Sequence, residues 1–377
     1  MTNIFIISLL TAILALAAFG ANADSAAPHG VWSKDKAIEW EQKHGWLVGC
    51  NFSPAYAINE IEMWQPDTFD LKTIDHELGL AKSLGFNSIR VFLHDLLWQS
   101  DPDGFLHRMD QFLEVAHKHH IGVMFVIFDS CWDPFPSTGK QREPKPHVHN
   151  SGWMQCPGQK ILMDPTRHDS LKDYVMGVIH HFRHDKRIDC WDLFNEPDNS
   201  NGSSYGKLEL PEKPQRALQL IKKTWAWARE VNPDQPLTAG VWYGDWDDAT
   251  KLNEMQKFCL DNSDVISFHD YGKPEELSAK IAQLKPLGRP ILCTEYMARP
   301  QGSTFNPNLK VMKDAHVAAY NWGFVSGKTQ TIYPWDSWDK QYTAEPPVWF
   351  HDIFRTNGEP YIKAEVDFIR QVTGGPR

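Results

Sequence analysis

The sequence predicts an eight-stranded parallel α/β barrel. Three observations lead there. Short apolar runs of strand character alternate eight times with segments of helical spacing. The connections are lopsided, with short helix-to-strand links and long strand-to-helix links, as in barrels that build a cleft at the C-terminal ends of their strands. A doubly wound open sheet is the alternative, but no Gly-rich phosphate loop follows the first strand.

In chain order, the strand-like runs are 46–52 (WLVGCNF), 86–93 (FNSIRVFL), 121–129 (IGVMFVIFD) and 187–194 (RIDCWDLF), then 236–243 (PLTAGVWY), 264–271 (DVISFHDY), 289–296 (RPILCTEY) and 321–327 (NWGFVSG). Apolar residues recur at helical spacing over 71–84, 105–119, 169–184, 215–231, 275–284 and 308–321, and 361–372 reads as a closing helix. SLGFN, KHHIG and PLGRP are the short links, whereas 52–70, 129–168 and 195–212 are long.

Residues 1–23 form an apolar run ending in Ala21-Asn22-Ala23, the small-residue pattern of a signal peptide cut after Ala23. The run lacks Lys and Arg, so the amino terminus is its only positive charge. The expectation is a secreted or periplasmic protein, off the membrane once the signal is cut, because no later stretch is long and apolar enough to span. Residues 24–377 are then expected to form one domain, since no linker, repeat or low-complexity tract interrupts them after residue 30. A 42% hydrophobic content supplies a core, and a net charge of −10 makes a poor nucleic-acid partner.

Six Cys are present. Cys50, Cys190 and Cys293 sit in strand-like runs and read as buried thiols. Cys131 and Cys156 bracket a Pro-rich loop and are the one candidate disulfide, because an exported protein meets an oxidising environment. No Cys-x-x-Cys and no metal-type Cys/His spacing occurs.

Polar residues gather where the strands end. Strand 2 carries Arg90, with His94 four residues on; strand 4 leads to Asn195 and Glu196; strand 6 to His269 and Tyr271; strand 7 to Glu295; Trp335 and Trp338 follow strand 8. Each has an ordinary explanation: an ion-pair Arg, a core His, a β-favouring Tyr, a rim carboxylate. Their joint placement at one end of one barrel is the stronger signal. Two carboxylates on a common rim suit glycosidic cleavage, in which one donates a proton while the other attacks the anomeric carbon. Their neighbours must therefore hold their pKa values apart. Arg90 and Tyr271 are placed to keep Glu295 ionised, and Asn195 to bond a sugar hydroxyl. The 16 Trp add flat apolar faces of the kind that sugars stack on.

From Trp46 to the C-terminal helix the chain resembles the clan A glycoside hydrolases, which include the family 5 cellulases and mannanases. FNEP on strand 4, TEY on strand 7, H-D-Y on strand 6, the Arg of SIRVF and a Trp after strand 8 carry the resemblance. It implies Glu196 as acid/base, Glu295 as nucleophile, retention of anomeric configuration, carboxyl groups about 5–5.5 Å apart and no cofactor or metal. One departure stands out: family 5 typically has a His shortly after the Asp ending strand 3, and this segment reads FDSCWDP. His94, His147 and His149 are the candidates to replace it.

The loop 130–160 is long enough to expect a function. Trp132, Phe135 and Trp153 are expected to form a sugar-stacking wall there; Glu60, Glu62 and Trp64 are candidates for the same cleft, with a solvated acidic loop the favoured reading of the two Glu. The substrate would be a β-linked polysaccharide or oligosaccharide: glucan, mannan or xylan, cut internally or from an end. A non-catalytic carbohydrate-binding barrel and a metal-dependent hydrolase using the His residues are the other readings.

Overall fold

The computed structural model describes residues 30–202 and 204–375; the signal-peptide expectation for 1–23 falls outside them. Eight parallel strands run β1 Val48–Asn51, β2 Ser88–Phe92, β3 Gly122–Val126, β4 Ile188–Asp192, β5 Leu237–Thr238, β6 Ile266–His269, β7 Ile291–Tyr296 and β8 Val317–Asn321. The sheet order is β5-β4-β3-β2-β1-β8-β7-β6. A parallel bridge between Val241 and Phe268 joins the two ends, so the sheet closes into a (β/α)8 barrel.

The helices are α1 Lys34–His44, α2 Glu60–Trp64, α3 Leu71–Ser83, α4 Asp95–Ser100, α5 Pro102–Lys118, α6 Gln159–Leu162, α7 Lys172–Phe182, α8 Lys213–Val231, α9 Glu254–Asn262, α10 Pro274–Leu284, α11 Phe305–Asp314 and α12 Lys363–Thr373. Their starts are written locally. Asp101 accepts from Gly104 N ahead of Pro102, and Asn253 and Gln256 form a reciprocal capping box on α9. The main core lies between strands and helices, while Trp40 and Ala37 of α1 pack with Leu47, Met124, Cys190 and Leu292 in a second buried cluster. Gly49 lets β1 approach β2: a Cβ there would stand 1.6 Å from the Ser88 carbonyl oxygen.

Two expectations need correction. The last strand is Val317–Asn321, not 321–327, and its helix ends at Asp314. VAAYN continues the helical spacing of 308–321, so the apolar pattern alone ran helix into strand. Helix α9 was not anticipated, because EMQKFCLDN is short and largely polar.

Candidate active site

Arg90 is the keystone. It is wholly buried inside the barrel, where its Nε and Nη2 donate to Asp192 Oδ2 (3.1 and 2.8 Å), Nη1 to Asn51 Oδ1 (2.7 Å) and Nη2 to Asn195 Oδ1 (2.7 Å). Nη1 also donates to Glu295 Oε1 at 3.0 Å. The ordinary ion-pair reading of Arg90 holds, and one of its two carboxylate partners is Glu295. One guanidinium ties β1, β2, β4 and β7 together beneath the carboxylates, using the fixed fork that a Lys lacks.

Glu295 Oε2 accepts from Tyr271 Oη at 2.8 Å. Glu196 Oε2 accepts from Asn199 Nδ2 at 2.6 Å and from the Cys131 thiol at 3.3 Å. His269 Nδ1 stands 2.8 Å from Glu196 Oε1 and 3.6 Å from Glu295 Oε2, between the two carboxyls. Oxygens of the two groups come within 4.8 Å of each other.

Glu196 has a left-handed backbone, φ 41°, uncommon for a residue with a side chain and characteristic of strained functional positions. Its neighbours fix it. Asn195 N donates to Phe128 O (2.8 Å), Ser130 N to Asn195 O (3.2 Å) and Ser130 Oγ to Pro197 O (2.8 Å). Below, buried Lys213 donates to Ser130 O (2.6 Å) and to Glu209 (2.7 Å).

Burial pushes both carboxyls above their ordinary range. At Glu196 the Asn199 and Cys131 bonds oppose it. At Glu295 His269, Arg90 and Tyr271 oppose it, and the Glu196 charge adds to it. Desolvation brings His269 down to about 4, so its ring is neutral near pH 7. Nδ1 then offers a proton to an ionised Glu196 or a lone pair to a protonated one.

These groups line a cavity of about 760 Å³, within the range of small-molecule sites. Of the residues named from sequence, Glu196, Glu295, Asn195, His269, Tyr271, Trp132 and Trp335 line it. Arg90 acts from beneath. The Asn195 side chain is held by Arg90 on its oxygen and Asp129 on its nitrogen (2.9 Å).

His94 does not line the cavity. Fully buried, it caps α4 by accepting from Leu96 N (3.1 Å) and faces Gln155 O (3.0 Å). Of the other His candidates, His149 reaches the cavity and lies tilted against Trp132, with centroids 5.5 Å apart, whereas His147 pairs with Tyr333 Oη. Glu60, Glu62 and Trp64 are buried away from it; Trp64 belongs to the core and donates to Phe92 O. Phe135 is exposed, and Trp153 is buried, its Nε1 donating to Asp129 (2.7 Å). Of the three aromatics only Trp132 lines the cavity, and it stacks on Trp338, 17° from parallel at 5.9 Å.

Cys131 and Cys156 are both free, so the disulfide expectation fails. Their sulfurs serve different neighbours, Glu196 and Asp95 (3.4 Å).

Asn199, Trp242, Tyr243 and Trp322 line the cavity without having been singled out. Trp242 and Trp322 follow strands β5 and β8, and the strand-end rule that found Tyr271 would have found them with the eighth strand in register. Among the described residues, two groups offer His, Cys, Asp or Glu atoms within 4.8 Å, as a metal would need: Glu196–His269–Glu295 and His94–Asp95–Cys156. Within them His269 already shares a hydrogen bond with Glu196, and Cys156 with Asp95.

The Cellulase (glycosyl hydrolase family 5) pattern matches residues 49–341, most of the chain. The protein belongs to glycosyl hydrolase family 5. It is a glycosidase, and the family resemblance read from its strand-end motifs is borne out. Solved structures share the fold. They include an exo-β-1,4-mannosidase from Opitutaceae bacterium strain TAV5 (18% identity, TM-score 0.56) and an endo-β-1,4-mannanase from Thermotoga petrophila (15%, 0.54). A β-mannanase from the blue mussel Mytilus edulis is a third (17%, 0.54). These alignments cover 88%, 89% and 75% of this chain, and 60%, 77% and 87% of the respective neighbours. The chain thus spans less than two thirds of the Opitutaceae protein. A search of curated proteins by sequence returns no match.

Proposed function

We propose that the protein is an exported, retaining β-glycoside hydrolase that cleaves β-linked poly- or oligosaccharides by double displacement. The observation that carries this reading is the carboxyl pair, both groups lining one cavity with oxygens within 4.8 Å of each other. That spacing suits direct attack, whereas an inverting enzyme needs roughly 6.5–9.5 Å to admit a water between.

In the first step a Glu295 oxygen bonds to the anomeric carbon, the carbon–oxygen bond to the leaving sugar breaks, and that oxygen takes the proton of Glu196. In the second step Glu196 removes a proton from water, whose oxygen bonds to the anomeric carbon and frees Glu295. Each group has partners fitting its role. Arg90 and Tyr271 hold Glu295 as a carboxylate. Burial raises the Glu196 carboxyl above its ordinary range, the direction an acid needs, and His269 stays neutral beside it. Carboxylates and protons suffice for the chemistry, so a chelator is expected to leave the rate unchanged.

The mannosidase and mannanase among the structural neighbours put β-1,4-mannosides first in a substrate panel, ahead of glucans and xylans. Export rests on residues 1–23, and sequencing the mature amino terminus should begin at Asp24. The test of mechanism is the anomer first released from an aryl β-glycoside, followed by NMR. The β-sugar is expected; the α-sugar would overturn the two-step mechanism.

A further inference from the structure

The cavity is one-sided. Its walls come from the segments after β3 through β8, and the loops after β1 and β2 contribute nothing to it. On that side of the barrel mouth lies a packed cluster. Buried Trp153 meets Phe92 edge-on at 5.2 Å and Trp322 at 5.8 Å. The void behind it is about 20 Å³, room for about one water and far too small for a sugar.

The segment bearing Trp153 is fastened at both flanks. Asn59 Nδ2 donates to Gly152 O (2.9 Å), Asn150 N to Thr329 O (2.8 Å) and Trp338 Nε1 to His149 O (2.9 Å). Gly152 sits directly on buried Ile58, where even a Cβ would stand 2.2 Å from Ile58 Cδ1. A segment tied by so many buried contacts has no low-cost way to swing aside.

The acid sets the polarity of the cavity. Glu196 protonates the oxygen of the departing sugar, so that sugar lies beyond Glu196, over the segments after β4 and β5. There the cavity continues past Asn199 and Asn201 to Trp242 and half-exposed Tyr243, whose Nε1 and Oη both donate to Asp198 (2.7 and 2.9 Å). The ring whose anomeric carbon is attacked lies on the other side, toward Trp322 and the closed wall.

We propose that the enzyme acts from the non-reducing end and releases one sugar at a time, with the 130–160 loop as the stop. The proposal rests on the hydrolase reading above. An anomeric carbon belongs to the sugar on the non-reducing side of the bond. With that side of the mouth closed by the Trp153 cluster, only a terminal residue fits there, while the rest of the chain runs out over Trp242 and Tyr243.

The test uses the wild-type protein with manno-, cello- and xylohexaose labelled at the reducing end. Free monosaccharide and labelled pentaose are expected first, before any shorter labelled product. The same hexaoses, capped by bulky groups on the terminal non-reducing hydroxyls, are expected to stay intact. Early labelled di-, tri- or tetraose, or cleavage of a capped hexaose, would overturn the proposal. If those internal cuts vanish in Glu295→Ala, the hydrolase reading survives and only end-wise action is lost. Hydrolysis of no glycan at all would overturn both.

Discussion

Asn199→Ala isolates the tuning of the acid. Asn199 Nδ2 stands 2.6 Å from Glu196 Oε2 and can only donate, so it favours the ionised carboxylate over the protonated acid. The Glu196 side chain is 11% exposed, which leaves little solvent screening. A hydrogen bond to a charged group contributes roughly 1.5–3 kcal/mol. At 1.36 kcal/mol per pKa unit, losing it should raise the Glu196 pKa by roughly 1–2 units. Water entering the vacated space would reform part of the bond and favour the lower end. The Cys131 thiol and His269 keep their contacts, so the carboxyl stays in place. The first step needs Glu196 protonated, so the alkaline limb of kcat/KM should move up by the same amount. The assay is a pH–rate profile with an aryl β-glycoside whose poor leaving group depends on the acid. An alkaline limb that stays put or moves down would refute the role of Asn199, and an upward shift of the acid limb alone would reverse the two Glu assignments.

Two further predictions concern the scaffold. Glu77 on α3 is buried, accepts from Ala55 N at 3.0 Å, and is raised to about 8 chiefly by burial. Its folded value lies above its unfolded one, so the stability it contributes is full below about pH 4.3 and is lost as pH rises through about 8. Thermal unfolding of Glu77→Gln should therefore depend less on pH and exceed wild type at the alkaline end; parallel profiles would contradict this. Gly152→Ala forces a Cβ onto Ile58 and should cost about 1–3 kcal/mol of unfolding free energy in urea, whereas Gly202→Ala, with nothing within 4 Å, should be neutral.

The parts of the fold legible in the sequence were those where local pattern and burial agree. β2, β3 and β7 are short, buried almost throughout, and start on or just after Asn87, Gly122 and Pro290, so their type and position could be read directly. β8 was misread because VAAYN carries helix-compatible Ala at the end of a helical pattern, and only pairing with β1 and β7 makes it a strand. That register slip hid Trp322 at the end of a strand. The carboxyl pair was legible because barrel topology converts strand ends into one rim, whatever the loops do. Loop-borne side chains were not. Trp153 and Trp132 share a Pro-rich loop, yet one is buried against Asp129 and the other faces the cavity, a difference set by tertiary hydrogen bonds. The same holds for His94, whose capping of α4 leaves no trace in spacing.

The double-displacement claim is tested most directly by azide rescue of the two Glu variants on an aryl β-glycoside. Glu295→Ala should be inactive in water and regain turnover with azide, yielding the α-glycosyl azide, because the anion attacks from the face the carboxylate vacated. Glu196→Ala should yield the β-glycosyl azide, formed on the glycosyl–Glu295 ester. Near wild-type hydrolysis by Glu295→Ala without azide, or the opposite anomers, would contradict the assignment of nucleophile and acid.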